Sequence, residues 1–344
     1  MISVSEYSTE HESQWSQFVS ESDTATIAHE IGWRDVIADS LGHKPMYLMA
    51  TRGSEITGIL PLFLVTTWWR ARYVVSSPWI DYGGVCARDP ESESLLLERA
   101  CQITQQHKAR FMELRSVDNS GAGNLEISEK KVTFLLELNR DPDKIWKGFD
   151  AKLRNQVRKA DKSGLTTEYA GVEKLDLFYG VFSYNMRDLG TPVWGRDFFE
   201  RILTRFNETA KLILVRKEDR VIAGGLVLAF KNRLYVPSAS SYRSYLKYCP
   251  NHALYWRVIK DACEQGYAYF DFGRSTWDSP TFRFKKQWAP QPRQLRWQYY
   301  LNSVNEIPSI NPNNPKYRLF IGTWRKLPLR IANLLGPRVI KNFP

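Results

Sequence analysis

The segment FDFGRS, residues 270–275, sets one acid inside an apolar strand. Alternation puts Phe270 and Phe272 on one face and Tyr269, Asp271 and Gly273 on the other. An unpaired carboxylate in such a strand is costly, so Asp271 requires a partner, a raised pKa or a wet cleft in front of it. A raised pKa would suit a general base that takes the proton of an attacking amine or hydroxyl. The alternative is a structural salt bridge to Arg274 or Lys285. Lys285 follows in DSPTFRFKKQW, which reads as a short helix capped by Ser279 with Pro280 at its first position. Phe282, Lys285, Lys286 and Ala289 then share a side.

Further polar groups gather upstream. In SYRSYLKYCPNHALYW, residues 241–256, Asn251 is read as a helix cap, and Arg243 and Lys247 supply cations. His252 is the lone histidine there, either a packing or hydrogen-bonding residue or a base. In AKLRNQVRKADKSG, helical spacing stacks Arg154, Arg158 and Lys162 on one face and turns Leu153, Val157 and Ala160 to another. Such a face either binds phosphates or is merely solvated. NMRDLGTPVWGRDFF places Asn185, Arg187, Asp188 and Trp194 around a Gly-Thr-Pro turn, which suits a sugar-bearing acceptor or a rigid packing loop.

The elements that must position these residues recur twice. YLMATRGSEITGILPLFLV implies a hairpin with one strand near 46–51 and another near 56–65, and LILVRKEDRVIAGGLVLAF repeats it. A third strand follows each hairpin, RYVVSSP and then RLYVPSASS, and next come helical stretches over 91–107 and 250–265. Each helix leads into a short strand, FMELRS or FDFGRS. A helical crossover requires that last strand to run parallel to its neighbour. Pro237 cannot donate to a ladder, so a bulge or unpaired edge, and a gap beside FDFG, are expected. Met112 occupies the position of Asp271 in the first copy, so the second copy is expected to hold the site.

Length and composition bound the rest. The 344 residues, 43% hydrophobic and 13% aromatic, suffice for one large core or two domains. Cys86, Cys101, Cys249 and Cys263 form no CxxC pair and the five histidines no HExxH, so buried free thiols are expected and no metal site is signalled. The twelve tryptophans are scattered and mark no site. The start MISVSEYSTEHES has no basic, apolar leader, and no stretch is apolar enough to span a bilayer, which points to the cytoplasm. A net charge of +11 implies an anionic partner. No acid follows Glu306, whereas Lys316, Arg318, Arg325, Lys326, Arg330, Arg338 and Lys341 do. That tail either lies at the inner face of an anionic membrane or packs on the body, with Pro328 and Pro337 expected to interrupt any long helix.

The order of elements resembles the GNAT acyltransferase superfamily, and two such units in one chain resemble the Fem peptidoglycan-bridge aminoacyltransferases. The stretches LRNQVRKADKSGL, LGTPVWGRDFFERIL, PNHALYWRVIKDACEQGYAYFDFGRS, FRFKKQW and WRKLPLRIANLLGPRVIKNFP look like the FemAB-like proteins associated with exosortase (PEP-CTERM) and exopolysaccharide loci. The resemblance implies a mixed α/β fold of two tandem GNAT-like domains. Each would be a mostly antiparallel mixed sheet flanked by helices: 1–140 with a degenerate site, and 141–304 with the active site and a long linking helix around 141–163. Residues 305–344 form the basic tail.

It also implies an acyl- or aminoacyltransferase acting on an amine or hydroxyl of a cell-envelope or exopolysaccharide precursor, such as an anionic sugar nucleotide or lipid-linked saccharide. Lys285 would stabilise the oxyanion. Arg243, Lys247, Asn251, His252 and Arg274 would bind the donor, and Arg154, Arg158, Asn185, Arg187 and Trp194 the acceptor. No permanently bound cofactor or metal is implied. The donor would be an aminoacyl-tRNA, an acyl-CoA or another acyl carrier. The superfamily's glycine-rich pyrophosphate loop is missing, since no glycine lies between 226 and 265, which lowers acyl-CoA among these. Two other classes stand beside this reading. One is a basic nucleic-acid binder without catalysis, although no aromatic RNP stretch is present; the other is a membrane-edge adaptor for polysaccharide assembly.

Overall fold

The structure, a computed structural model, describes residues 1–117, 125–289, 291–308 and 315–343, while the side chains of Lys316 and Tyr317 lie outside the described residues. The chain divides into two compact units. Unit 1 comprises Met1–Lys131, Gln294–Ile310 and Lys341–Pro344, and unit 2 comprises Val132–Arg293 and Asn311–Ile340.

Unit 1 opens with β1 (Ile2–Glu6), α1 (Glu12–Glu21), α2 (Gly32–Leu41) and β2 (Lys44–Pro45). The expected hairpin follows as β3 (Leu48–Arg52) and β4 (Glu55–Leu60), with Leu48 opposite Leu60. The long strand expected over 56–65 is divided at Pro61, which has no N–H for a ladder, and resumes as β5 (Phe63–Thr66) in another sheet. Next come β6 (Arg72–Val75), β7 (Cys86–Ala87), α3 (Pro90–Gln106) and β8 (Phe111–Leu114). Asp89 accepts a hydrogen bond from the Ser92 N–H and starts α3. That helix is the crossover for the parallel pair β6 and β8, where Val74 lies opposite Met112. Unit 1 pairs β1-β3-β4-β7 in one sheet and β8-β6-β5-β2 in another. Leu48, Leu60, Leu96, Ala100, Met112 and Leu114 share its core.

The chain enters unit 2 within β9 (Glu126–Glu137) and continues through α4 (Pro142–Gly148), α5 (Ala151–Lys162), β10 (Leu165–Ala170), α6 (Leu175–Leu189) and α7 (Arg196–Arg205). The single linking helix expected over 141–163 is therefore two. Phe149 and Asp150 are extended, and the Asp150 carboxylate accepts from the Leu153 N–H at 2.6 Å. A capping residue must leave helical geometry, so the first helix stops where the second begins.

Then come β11 (Ala210–Lys217), β12 (Arg220–Phe230), β13 (Arg233–Ser241), α8 (Pro250–Glu264), β14 (Tyr269–Thr276) and α9 (Pro280–Lys286), and the chain returns to unit 1 within β15 (Pro292–Leu301). Strand order in this unit is β10-β11-β12-β13-β14-β9, antiparallel until the parallel pair β13 and β14. Helices cover both faces. A Cβ at Gly224 would stand 3.1 Å from Phe178 of α6, and one at Gly225 would stand 3.4 Å from Leu254 of α8. Those small residues let both helices approach β12 closely. Val157, Val215, Val227, Leu254, Phe270 and Trp288 belong to the core beneath α8.

The basic tail forms α10 (Pro315–Arg325) and α11 (Leu329–Ile340), and both pack on α6. Pro328 separates them as expected, but Pro337 lies inside α11. The preceding residue is Gly336, which has no Cβ to clash with the proline ring, so the helix runs on. No helix among the described residues is long and apolar enough to cross a membrane. Of the four free cysteines, Cys86, Cys249 and Cys263 are buried and Cys101 is half-buried.

Candidate active site

The local sequence of β13 and β14 opens the sheet at one point. Leu228 pairs with Tyr235 and Leu226 with Ser238, so Val236 and Pro237 together oppose Val227, the bulge that Pro237 implied. The parallel ladder to β14 covers Arg233–Tyr269, Leu234–Phe270 and Tyr235–Asp271 and ends there among the described residues. Two residues on, Gly273 has φ +69°, a left-handed conformation that glycine adopts without a Cβ penalty. β14 is therefore kinked just past its last pairing with β13.

Asp271 and Lys285 both bind this kink. The Asp271 side chain is buried, and among its partners are the Gly273 N–H at 2.8 Å and the Thr133 hydroxyl of β9 at 3.1 Å, both donating to Oδ1. Half-buried Lys285 donates from Nζ to the Gly273 carbonyl at 2.9 Å and to the Arg274 carbonyl at 2.8 Å. α9 delivers it. Ser279 accepts from the Phe282 N–H at 3.1 Å, Pro280 takes the first turn, and buried Phe282 anchors the helix, as the sequence implied. On the opposite face of β14, Phe270 and Phe272 pack against Tyr255 of α8 at 6.1 and 5.5 Å between ring centres. A carboxylate and an ammonium thus meet at one kinked residue, Gly273, where two strands part. Such a pair can take a proton and steady a developing negative charge.

The start of α8 corrects one expectation. Its cap position is Cys249, at φ +59°, and Asn251 lies inside the first turn. Pro250 has no N–H to lose and a φ suited to helix, so the helix begins two residues earlier than a cap at Asn251 would require. The buried Oδ1 of Asn251 has no hydrogen-bond partner among the described residues. Burial pushes the Cys249 thiol up, and it donates to Gln156 Oε1 of α5 at 2.7 Å, the behaviour of a hydrogen-bonding thiol and not of a nucleophile.

His252 packs edge-on to Phe284 at 5.3 Å, with Nε2 3.4 Å from Gln287 Nε2. Burial lowers its pKa to about 4, and the Gln287 hydrogen bond only partly opposes this. It is neutral at pH 7 and cannot act as an acid there. The unfolded chain protonates this group near 6.5, so between 6.5 and about 4 the unfolded state binds the extra proton and stability falls with pH. The loss expected from this residue is on the order of 3 kcal/mol. Urea unfolding at pH 7 and pH 4.5 should show a smaller acid loss for His252→Gln than for wild type; equal losses would contradict this environment.

The other expected residues sit on separate elements. Asn185 donates to Ser240 Oγ on β13 at 3.1 Å. Arg187 pairs with Asp188 at 2.8 Å and lies 4.5 Å over the Tyr184 ring. Trp194 packs on Phe198 at 5.6 Å. On α5, Leu153, Val157 and Ala160 are buried as the spacing required, Arg154 donates to the Lys147 carbonyl at 3.3 Å, and exposed Arg158 lies 5.5 Å over Trp146. Arg243 and Lys247 are exposed in a 3-10 turn over 243–248, and Arg274 is half-buried past the kink.

Thr133 was not expected, although the apolar run Val132–Leu136 could have marked its strand. Also unforeseen was a strip of tyrosines and cations. Arg220 lies 5.1 and 5.5 Å over Tyr242 and Tyr245, and Lys217 lies 4.9 Å over Tyr248. In unit 1 the corresponding strand is closed. Met112 is buried in the core, and fully buried Arg115 pairs with Glu113 at 2.9 Å and lies 4.9 Å over Trp297. The first copy therefore carries ionisable groups after all, one and three residues past the position matched to Asp271.

The splayed pair β13 and β14, the crossover α8 and the kink all fall inside one matched segment. Residues 147–286 match the acetyltransferase (GNAT) domain. Among solved structures, the chain is similar to FemX, at 16% identity and TM-score 0.66 over 93% of this chain and 100% of that one. It is also similar to L-PGS from Bacillus licheniformis, at 13% identity and TM-score 0.56 over 94% and 98%. A tandem GNAT protein from the clavulanic acid biosynthesis pathway aligns at 11% identity and TM-score 0.51 over 87% and 98%. No curated protein matches the sequence. The fold is thus a mixed α/β tandem GNAT-like fold, with the GNAT segment supplying Asp271 and Lys285. Among the described residues no group of three or more His, Cys, Asp or Glu side chains could hold a metal ion.

Proposed function

We propose that the protein is an acyl- or aminoacyltransferase of the FemAB-like, exosortase-associated type that modifies an amine or hydroxyl of a cell-envelope or exopolysaccharide precursor. The reading rests on one observation: Asp271 and Lys285 both bind Gly273, the kinked residue at the point where β13 and β14 separate. The acceptor enters at this opening. Its nucleophile loses a proton to Asp271 and attacks the donor's ester or thioester carbonyl, and Lys285 stabilises the oxyanion. The carrier leaves when the tetrahedral intermediate collapses. No permanently bound cofactor takes part.

Arg243, Lys247, Asn251, His252 and Arg274 serve the donor, and Arg154, Arg158, Asn185, Arg187 and Trp194 an anionic, sugar-bearing acceptor. The chain works in the cytoplasm, at the inner face of the membrane where lipid-linked saccharides are built. The donor is an aminoacyl-tRNA or another carrier in preference to acyl-CoA. Two features support that choice: the absence of glycine between 226 and 265, and the tyrosine–cation strip beside α8, which offers stacking surfaces. The test supplies purified full-length protein with labelled acetyl-CoA or a labelled charged-tRNA pool, together with extracted lipid-linked saccharides. Label should pass from the tRNA pool at least tenfold faster than from acetyl-CoA; transfer from neither would contradict the reading.

A further inference from the structure

Helix α11 is packed the wrong way round for an ordinary surface helix. It turns its small residues inward: Ala332 is 1% exposed, and a Cβ at Gly336 would stand 2.8 Å from the Val193 backbone nitrogen. Its large apolar residues face out. Ile331, Leu334 and Leu335 are 43%, 62% and 38% exposed, and with Arg338 they follow i, i+3, i+4, i+7 spacing, so they form one outward stripe. α10 behaves alike, burying Trp324 against the body and exposing Leu319 at 73% and Phe320 at 38%. Exposed large hydrophobics grouped in this way mark an interaction surface.

Charge selects the partner. From residue 307 to the end the chain has no acid, and Arg318, Arg325 and Arg330 are exposed on these two helices and Lys326 in the turn between them. A second copy of the same face would bring like charges together, whereas an anionic lipid surface neutralises them and receives the leucines. We infer that α10 and α11 form an interfacial docking surface for anionic lipid headgroups, with Leu319, Ile331, Leu334 and Leu335 entering the headgroup–acyl boundary and the arginines and lysines binding phosphates. The inference stands independently of the transfer reading, because no residue of the kink takes part.

Vesicle flotation of the full-length protein tests it, with phosphatidylcholine vesicles with and without equimolar phosphatidylglycerol. Wild type should partition at least tenfold more strongly onto the anionic vesicles. Leu334→Ser with Leu335→Ser should lower that partition about tenfold or more. Lys326→Gln with Arg330→Gln should lower it roughly fivefold per charge, on anionic vesicles only. All four side chains are exposed, so circular dichroism should show unchanged folding. Equal binding to both vesicle types, or wild-type binding by both double variants, would overturn the inference. A dimer in gel filtration that the leucine pair alone dissolves would do so too, by giving the face to a second copy.

Discussion

Asp271→Asn is expected to lower the transfer rate by roughly 10²- to 10⁴-fold, the usual weight of a positioned general base. Asparagine keeps an oxygen able to accept from the Gly273 N–H and the Thr133 hydroxyl, so these two hydrogen bonds are retained. Only the negative charge and its proton affinity are removed. A thermal melt close to wild type, together with a fall in kcat/KM of that size, would assign the carboxylate to chemistry. A melt lowered by several degrees with activity within threefold of wild type would make Asp271 a clasp for β14 and nothing more.

Lys285→Met should cost about 10²- to 10³-fold in kcat, with a smaller effect on KM, because an oxyanion is present only in the transition state. Methionine preserves an apolar stem and removes the ammonium that donates to the Gly273 and Arg274 carbonyls. Loss of these charged hydrogen bonds should also lower stability, by about 1.5–3 kcal/mol. The two effects are separable. Lys285→Arg can still donate to the carbonyls, so stability should largely return; transfer should stay impaired, since a guanidinium is broader and differently aimed than an ammonium. Full transfer in Lys285→Met, measured on the folded fraction, would remove the oxyanion role.

The duplicated order of hairpin, strand, helix and strand was legible because its signals are local. RGSE and KEDR mark turns, alternation marks strands, and the 3.6-residue period marks α3 and α8. Pro237 likewise announced its bulge through a chemistry that no context can change. What escaped depends on partners far along the chain. β9 and β15 are strands because of pairings with segments remote in sequence, so Thr133 could not be placed beside Asp271 without coordinates. The helix expected as one over 141–163 failed on a single capping carboxylate, Asp150. Asn251 was misread because asparagine is a good cap in general, and here Pro250 claims the first turn. In the tail, the sequence showed cations without acids, but only packing shows that α11 turns Ala332 and Gly336 inward and its leucines out.

Mass spectrometry of surface glycan and lipid-linked precursors tests the central claim most directly, in cells making wild type, Asp271→Asn, Lys285→Met or no protein. One acyl or aminoacyl mass should be present with wild type and missing from the other three. Restoration of that mass by either variant, or identical spectra with and without the protein, would contradict transfer at the Gly273 kink.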